Sequence, residues 1–147
     1  MAGDEGMYMS VRKGDRDEGK LTAIDASRLL VEYTYDRVHD KTLPKASRWL
    51  MSKSIWDDAS LARAKLLRAN AIRVECTEDA NERLLLLKEV IGHLDSLIAN
   101  IDTLNIKKII TDRRAEYWTK LATDMQNLTK ALLKYNRRDY KEHGLLK

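Results

Sequence analysis

Two runs of basic residues are the first feature of the sequence with chemical meaning. Residues 41–54 carry Lys41, Lys45, Arg48 and Lys53 without an acid, and residues 130–141 carry Lys130, Lys134, Arg137, Arg138 and Lys141 against Asp139 alone. In the second run Lys130, Lys134, Arg138 and Lys141 are spaced four, four and three apart, which sets them along one helical face with Arg137 beside them. Lys45, Arg48 and Ser52 share a face in the same way. Phosphate recognition needs only positive charge and N–H donors on a firm scaffold, and counterion release then supplies affinity without reading base sequence. The plain alternative is a solvated face of a charged helical protein, and a formal net charge of only +4 leaves both readings open for a monomer.

Other chemistries find less material. Glycine is absent from residues 20–91, which excludes a phosphate-cradling P-loop and a G-x-G-x-x-G turn from the body of the chain. His39, His93 and His143 stand too far apart for H-E-x-x-H, and Cys76, the single cysteine, builds neither an internal disulfide nor a cysteine-type zinc site. A di-iron bundle needs two Glu-x-x-His motifs and two further glutamates. Asp36 and His39 approach one motif, whereas Glu89 and His93 are four apart. The rival to a binding protein is thus an enzyme, either a di-metal bundle built on those four residues or a small nuclease; the bland reading is exposed polar residues near helix ends. Cys76 has no neighbouring base and reads as a small buried hydrophobe. Neither a cofactor nor an enzymatic activity is expected. Trp49 and Trp56 lie seven apart and would share one helical face. Base stacking is open to them, and packing in the core or at a subunit contact is the commoner use of aromatics at this spacing.

The elements that would position these residues are helices. Six glycines, one proline and no phenylalanine leave too little turn-making material for a β-sandwich or barrel. Over residues 21–40, Leu21, Ile24, Val31, Tyr35 and Val38 recur at helical spacing and predict a first helix. Pro44 stops it and suits the first turn of a second, which runs unbroken to about residue 76 as a rod of roughly 45–50 Å. Thr77-Glu78-Asp79 supplies capping side chains and first-turn acids for a third helix. Its seam Leu84, Leu87, Ile91, Leu94, Ile98 and Ile101 keeps a strict 3-4-3-4-3 spacing. Residues 102–108 read as a loop. A fourth helix starts at Ile109, or with Thr111 as cap, and runs towards Tyr140 on the seam Trp118, Leu121, Met125, Leu128, Leu132 and Tyr135.

The expected fold class is therefore all-α: an antiparallel up-down-up-down four-helix bundle over 21–147, preceded by a flexible arm over 1–20 rich in glycine and mixed charge. A chain of 147 residues is one domain's worth of sequence. No apolar run approaches the roughly 18 residues of a membrane span, and the first twenty residues lack the apolar core of a secretory signal, so a cytoplasmic location is expected. Leu84-Leu85-Leu86-Leu87 and Leu29-Leu30-Val31 place apolar side chains outside a single three-in-seven stripe. Leu85 and Leu86 could simply flank a wide core; the favoured reading places Leu29, Leu30, Leu85 and Leu86, with Trp49 and Trp56, at an interface between identical subunits, where assembly would pool the basic faces into a ring.

One stretch resembles a known family. Tyr33-Thr34-Tyr35-Asp36-Arg37 is similar to the aromatic-acid-Arg end of the first helix in the four-helix-bundle proteins that include the rRNA-intervening-sequence protein and the accessory variability determinants (Avd) of diversity-generating retroelements. Lys41-Thr42-Leu43-Pro44-Lys45-Ala46-Ser47-Arg48 and then Lys53-Ser54-Ile55 resemble that family's Lys-Phe-Pro-Lys-x-x-Arg and following Arg-Ile pair. Leu43 stands for the usual phenylalanine, Ser54 for the arginine, and the gap before the proline is longer. Ala69-Asn70-Ala71-Ile72 is similar to the family's Ala-Asn turn, and the likeness spans residues 33–135. The resemblance implies a non-enzymatic, homopentameric basic bundle. Its partners would be a reverse transcriptase and its template RNA, and with them the cDNA, during mutagenic synthesis; no membrane is involved. It marks Lys41, Lys45 and Arg48 as contact residues. The alternative it leaves is a ribosome- or rRNA-associated role.

Overall fold

Thr22 opens helix α1 (Ala23–Val38) with a capping box: its hydroxyl accepts from the Asp25 amide at 3.0 Å, and the Asp25 carboxylate accepts from the Thr22 amide at 3.4 Å. This is the first element of the computed structural model, which describes residues 21–146; the arm expected over 1–20 lies outside the described residues. α1 buries Ala23, Ala26, Ser27, Leu30 and Thr34. Its expected stripe is displaced: Leu21 and Tyr35 are exposed, while Ile24, Val31 and Val38 only flank the core. Small residues at the centre let the neighbouring helices come close, and the larger aliphatics then close the edges.

After the turn at 39–44, Pro44 precedes the short helix α2 (Lys45–Leu50). The continuous rod expected from here is interrupted. Met51–Ile55 form a π-helical turn, and α3 (Trp56–Ala71) follows. Met51 and Ile55 are both fully buried, so the wider turn keeps two core anchors while offsetting the faces before it by one residue against the sequence count. Trp49 and Trp56 consequently do not share a surface. Trp49 is 70% exposed, whereas Trp56 is half-buried and meets Tyr35 of α1 edge-on, with ring centroids 6.0 Å apart.

α3 also ends at Ala71, short of the expected residue 76. The cause lies in the next helix: Arg83, only 3% exposed, donates Nη1 to the Ala69 carbonyl at 3.2 Å. A guanidinium on the free carbonyls of a helix C-terminus satisfies them and opposes the helix dipole favourably. Residues 72–76 then run without helix to α4 (Thr77–Ile106). Cys76 is the N-cap and its side chain is exposed, contrary to the buried role expected of it.

α4 passes through residues 102–106, which were expected as loop. Leu104 is fully buried there, and the Thr103 hydroxyl is satisfied by donating to the Ala99 carbonyl at 3.1 Å. The helix stops where Lys108 takes φ 57°, the left-handed position that glycine usually fills, and Ile109 N–H returns to the Leu104 carbonyl at 2.9 Å. Thr111 then caps α5 (Asp112–Glu142), accepting from the Arg114 amide at 3.2 Å.

The buried line on α4 is Arg83, Leu87, Val90, Leu94, Leu97, Ile101 and Leu104. Ile91 and Ile98, expected on the seam, flank it. On α5 the line is Trp118, Ala122, Met125, Thr129, Leu132, Asn136 and Tyr140, with Leu128 at the edge and Tyr135 exposed. The protein is all-helical over the described residues. α1 packs against α3 and α5, and α4 packs against the same two, which closes a ring of four helices around one core. No helix among the described residues is long and apolar enough to cross a membrane.

At the centre of that core Trp118 is fully buried, donates its indole N–H to the Thr34 hydroxyl at 3.0 Å, and receives the edge of Tyr33 at 5.8 Å. Thr34→Val keeps the shape and removes the acceptor, so the indole N–H is left buried without a partner. The expected loss is about 1–3 kcal/mol of stability, seen as a lower urea midpoint with an unchanged m-value; a second change, Trp118→Phe, should add less in this background than it does alone.

Candidate nucleic-acid interface

The second basic run lies on the outer surface of α5. Lys130, Lys134, Arg137, Arg138 and Lys141 are all exposed and, at 100° per residue, occupy an arc of about 100°. No ion pair engages any of the five among the described residues. The one acid of the run, Asp139, is occupied by His143, whose Nδ1 lies 2.8 Å from the Asp139 carbonyl and 3.3 Å from its carboxylate. The hydrogen bond to that carbonyl, then the Asp139 charge, holds the His143 pKa above its ordinary value. His143 thus adds positive charge to the same surface as the pH falls.

The first basic run behaves differently. Lys41, Lys45, Arg48 and Lys53 are all exposed, and Arg48 Nη2 donates to the Lys41 carbonyl at 3.3 Å, folding the start of α2 back over the turn. Lys53 sits in the π-helical turn, and the side chain of Ser52, expected to share the face of Lys45 and Arg48, is outside the described set. The two runs do not merge. Asp40, next to Lys41, pairs with Arg114 in the first turn of α5 at 3.3 Å, whereas Arg138 lies 24 residues further along α5, about 36 Å at 1.5 Å per residue.

What joins the first run is a set of cations that sequence reasoning missed. The Asp40–Arg114 pair spans 74 positions of sequence, and it brings the 39–44 turn beside the start of α5. Arg37, Arg113 and Arg114, with Lys107 and Lys108 in the turn before α5, therefore belong to the same end of the molecule as Lys41. The adjacent pairs Lys107-Lys108 and Arg113-Arg114 are visible in the sequence, but nothing local says which basic segment they will meet.

Asp40 organises this end. Its carboxylate accepts from the Thr42 hydroxyl at 2.6 Å and the Thr42 amide at 2.9 Å, and pairs with Arg37 at 3.6 Å and Arg114 at 3.3 Å. The Thr42 hydroxyl, then its amide, then the two guanidiniums hold the Asp40 pKa below the usual carboxylate range. The Arg37 guanidinium also covers the Tyr33 ring at 5.1 Å, and Tyr117 meets Tyr33 edge-on at 5.0 Å.

The residues weighed for metal chemistry are dispersed. His39 bonds the Tyr35 carbonyl at the end of α1. His93 lies between α3 and α4: Lys65 Nζ donates to its Nε2 at 2.9 Å and its Nδ1 faces Asp58 at 3.0 Å, while Lys65 also pairs with Glu89 at 3.2 Å. No group of three or more His, Cys, Asp or Glu able to hold a metal ion occurs among the described residues. Of the residues expected between subunits, Leu29, Leu85 and Trp49 are exposed, and Trp56 is half-buried against Tyr35. Leu30 and Leu86 require correction: at 0% and 6% exposure they are core residues of the single chain, with no surface to offer a second copy.

A depressed carboxylate pKa means a contribution to stability that is present above the unfolded value of about 3.9 and lost as the pH falls through the folded one. Asp40→Asn should therefore lower the thermal midpoint at pH 7, and the gap to the parent protein should narrow steadily as the pH falls below about 4. A gap independent of pH would remove the charge from this account. No protein-family model, no curated protein and no solved structure matches the chain.

Proposed function

We propose that the protein is a non-enzymatic, RNA-binding accessory subunit of the accessory-variability-determinant kind. In this reading it is a cytoplasmic up-down-up-down bundle that assembles as a cyclic homo-oligomer, a pentamer, and holds template RNA for a reverse transcriptase during mutagenic cDNA synthesis. The observation that carries the RNA contact is the α5 stripe: five exposed cations on one arc of a rigid helix, with Asp139, the one acid within the run, already occupied by His143 and Glu142 at its end. Such a surface suits the regular spacing of backbone phosphates and reads no base.

Two features support the assembly. The sequence likeness over residues 33–135 implies it, and exposed leucines occur on α1, α3 and α4; of these, Leu29 on α1 and Leu85, 56% exposed, on α4 sit on helices that do not neighbour each other in the order α1, α3, α4, α5. A cyclic, head-to-tail contact joins two different patches of each subunit, which two separated apolar faces provide and a single patch does not. Copies related by an axis would repeat the α5 stripe around it.

Two measurements test the reading. Affinity for RNA should fall by about two orders of magnitude between ~50 and ~200 mM salt, and Lys134→Glu with Arg138→Glu should abolish the gel shift; an undiminished shift in that double variant discards the α5 surface. Light scattering during gel filtration should give a particle about five times the 17.0 kDa of one chain, and Leu85→Glu should dissociate it. A strictly monomeric parent protein removes the ring.

A further inference from the structure

Beside the first turn of α5 lies an open cleft of about 390 Å³ lined by Tyr33, Thr111, Arg113, Arg114 and Tyr117, within the span of about 300–1,000 Å³ typical of small-molecule sites. We infer that this cleft receives one unpaired nucleotide of the bound RNA, its base lying against Tyr117 and its phosphate on Arg113. The inference rests on the RNA-binding role proposed above and adds to it a contact that the α5 stripe cannot make, because the stripe offers cations and the cleft offers an aromatic platform.

The side chains divide the work. Tyr117 is 50% exposed, and one edge contact holds it: Tyr33 at 5.0 Å and an interplanar angle of 70°. Tyr33 is in turn fixed between the Arg37 guanidinium at 5.1 Å and the buried Trp118 at 5.8 Å. The platform is thus ordered before any ligand arrives, while about half of its surface remains open to water. Stacking of a base on such a ring is tolerant of sequence and requires the base to be out of a duplex.

Arg113 and Arg114 have different charge roles. Arg114 is committed to Asp40 at 3.3 Å. Arg113 is exposed and enters no ion pair among the described residues, so its guanidinium is the one at the cleft able to take a phosphate. The acids nearby are Asp40, which is saturated by Thr42, Arg37 and Arg114, and Asp112 and Glu116, both exposed on α5. Asp112 and Glu116 offset much of the local positive charge. An acidic peptide, drawn by charge alone, is therefore a poor occupant, and a ligand that pairs one anionic group with a flat ring is a good one.

The test compares a short single-stranded oligouridylate with a blunt RNA duplex of equal length, by fluorescence polarisation on the full chain. Tyr117→Ala should weaken the single strand about tenfold and leave the duplex within about twofold, Tyr117→Phe should restore the single strand, and Arg113→Gln should reduce its salt slope by about one. Equal losses on both RNAs, or none on either, overturn the cleft. Lys134→Glu with Arg138→Glu separates the two proposals. If that variant binds both RNAs normally while Tyr117→Ala still loses only the single strand, the stripe fails and the cleft stands; the reverse pattern sinks the cleft alone. If the parent protein binds neither RNA, titration with uridine monophosphate decides, and Tyr117 ring resonances that do not move overturn the assignment. Tyr117 and Arg113 are outside the core, and thermal midpoints equal to the parent's confirm that the variants are folded.

Discussion

The carboxylate of Asp40 is the point on which the arrangement of charge depends. It holds Thr42 of its own turn, Arg37 one turn back on α1, and Arg114 at the start of α5. Without it, that end of the bundle would gather Arg37, Lys41, Lys107, Lys108, Arg113 and Arg114 around no fixed anion, and like charges would repel. With it, two arginines share one negative charge and are held in place, and the others are left for solvent or ligand. One acid thus converts a repulsive cluster into an ordered surface.

Helix content and the broad division into segments were legible, because long apolar periodicities and Pro44 are local signals. On α4 and α5 most of the seam was legible too: Leu84, Leu87, Leu94 and Ile101, and Trp118, Leu121, Met125 and Leu132, are buried. The centre of α1 was not, because apart from Leu30 its core is Ala23, Ala26, Ser27 and Thr34, residues too small or too polar to register as a hydrophobic stripe. On α5, Thr129 and Asn136 occupy core positions while Tyr135 faces out. A search for large apolar residues therefore strayed to the margin of the buried face on α1, at Tyr135 and Leu128 on α5, and at Ile91 and Ile98 on α4. The end of α3 was hidden for another reason: its cap is Arg83, 14 residues downstream of Ala69. The stripe on α5 was readable because helical spacing alone defines it. The cluster around Asp40 was not, since only tertiary contact over 74 positions creates it.

The interior is also keyed by polar contacts. Ser27 takes a hydrogen bond from Arg63 across α1 and α3 at 2.8 Å, His93 joins Asp58 and Lys65 across α3 and α4, and Gln126 reaches Asp95 at 2.7 Å and the Ile91 carbonyl at 3.2 Å across α4 and α5. Leucine seams tolerate a slide by one heptad, because one leucine replaces another. These pairs do not tolerate it, since a half-buried donor or acceptor moved by a turn loses its partner and pays its desolvation. With Trp118 and Thr34 across α1 and α5, each of the four junctions of the ring carries at least one such key.

The π-helical turn at Met51–Ile55 holds one residue more than an α turn between Lys45, Arg48 and Trp49 and the rest of their helix. Chain length at this point is therefore buffered. Excising one residue from the widened turn and restoring ordinary α geometry would leave the upstream faces nearly where they are, while Ala59, Ala62 and Leu66 downstream kept their seats. A single-codon deletion here would thus be absorbed locally, a way for related chains to differ in length while preserving both how they fold and what they present.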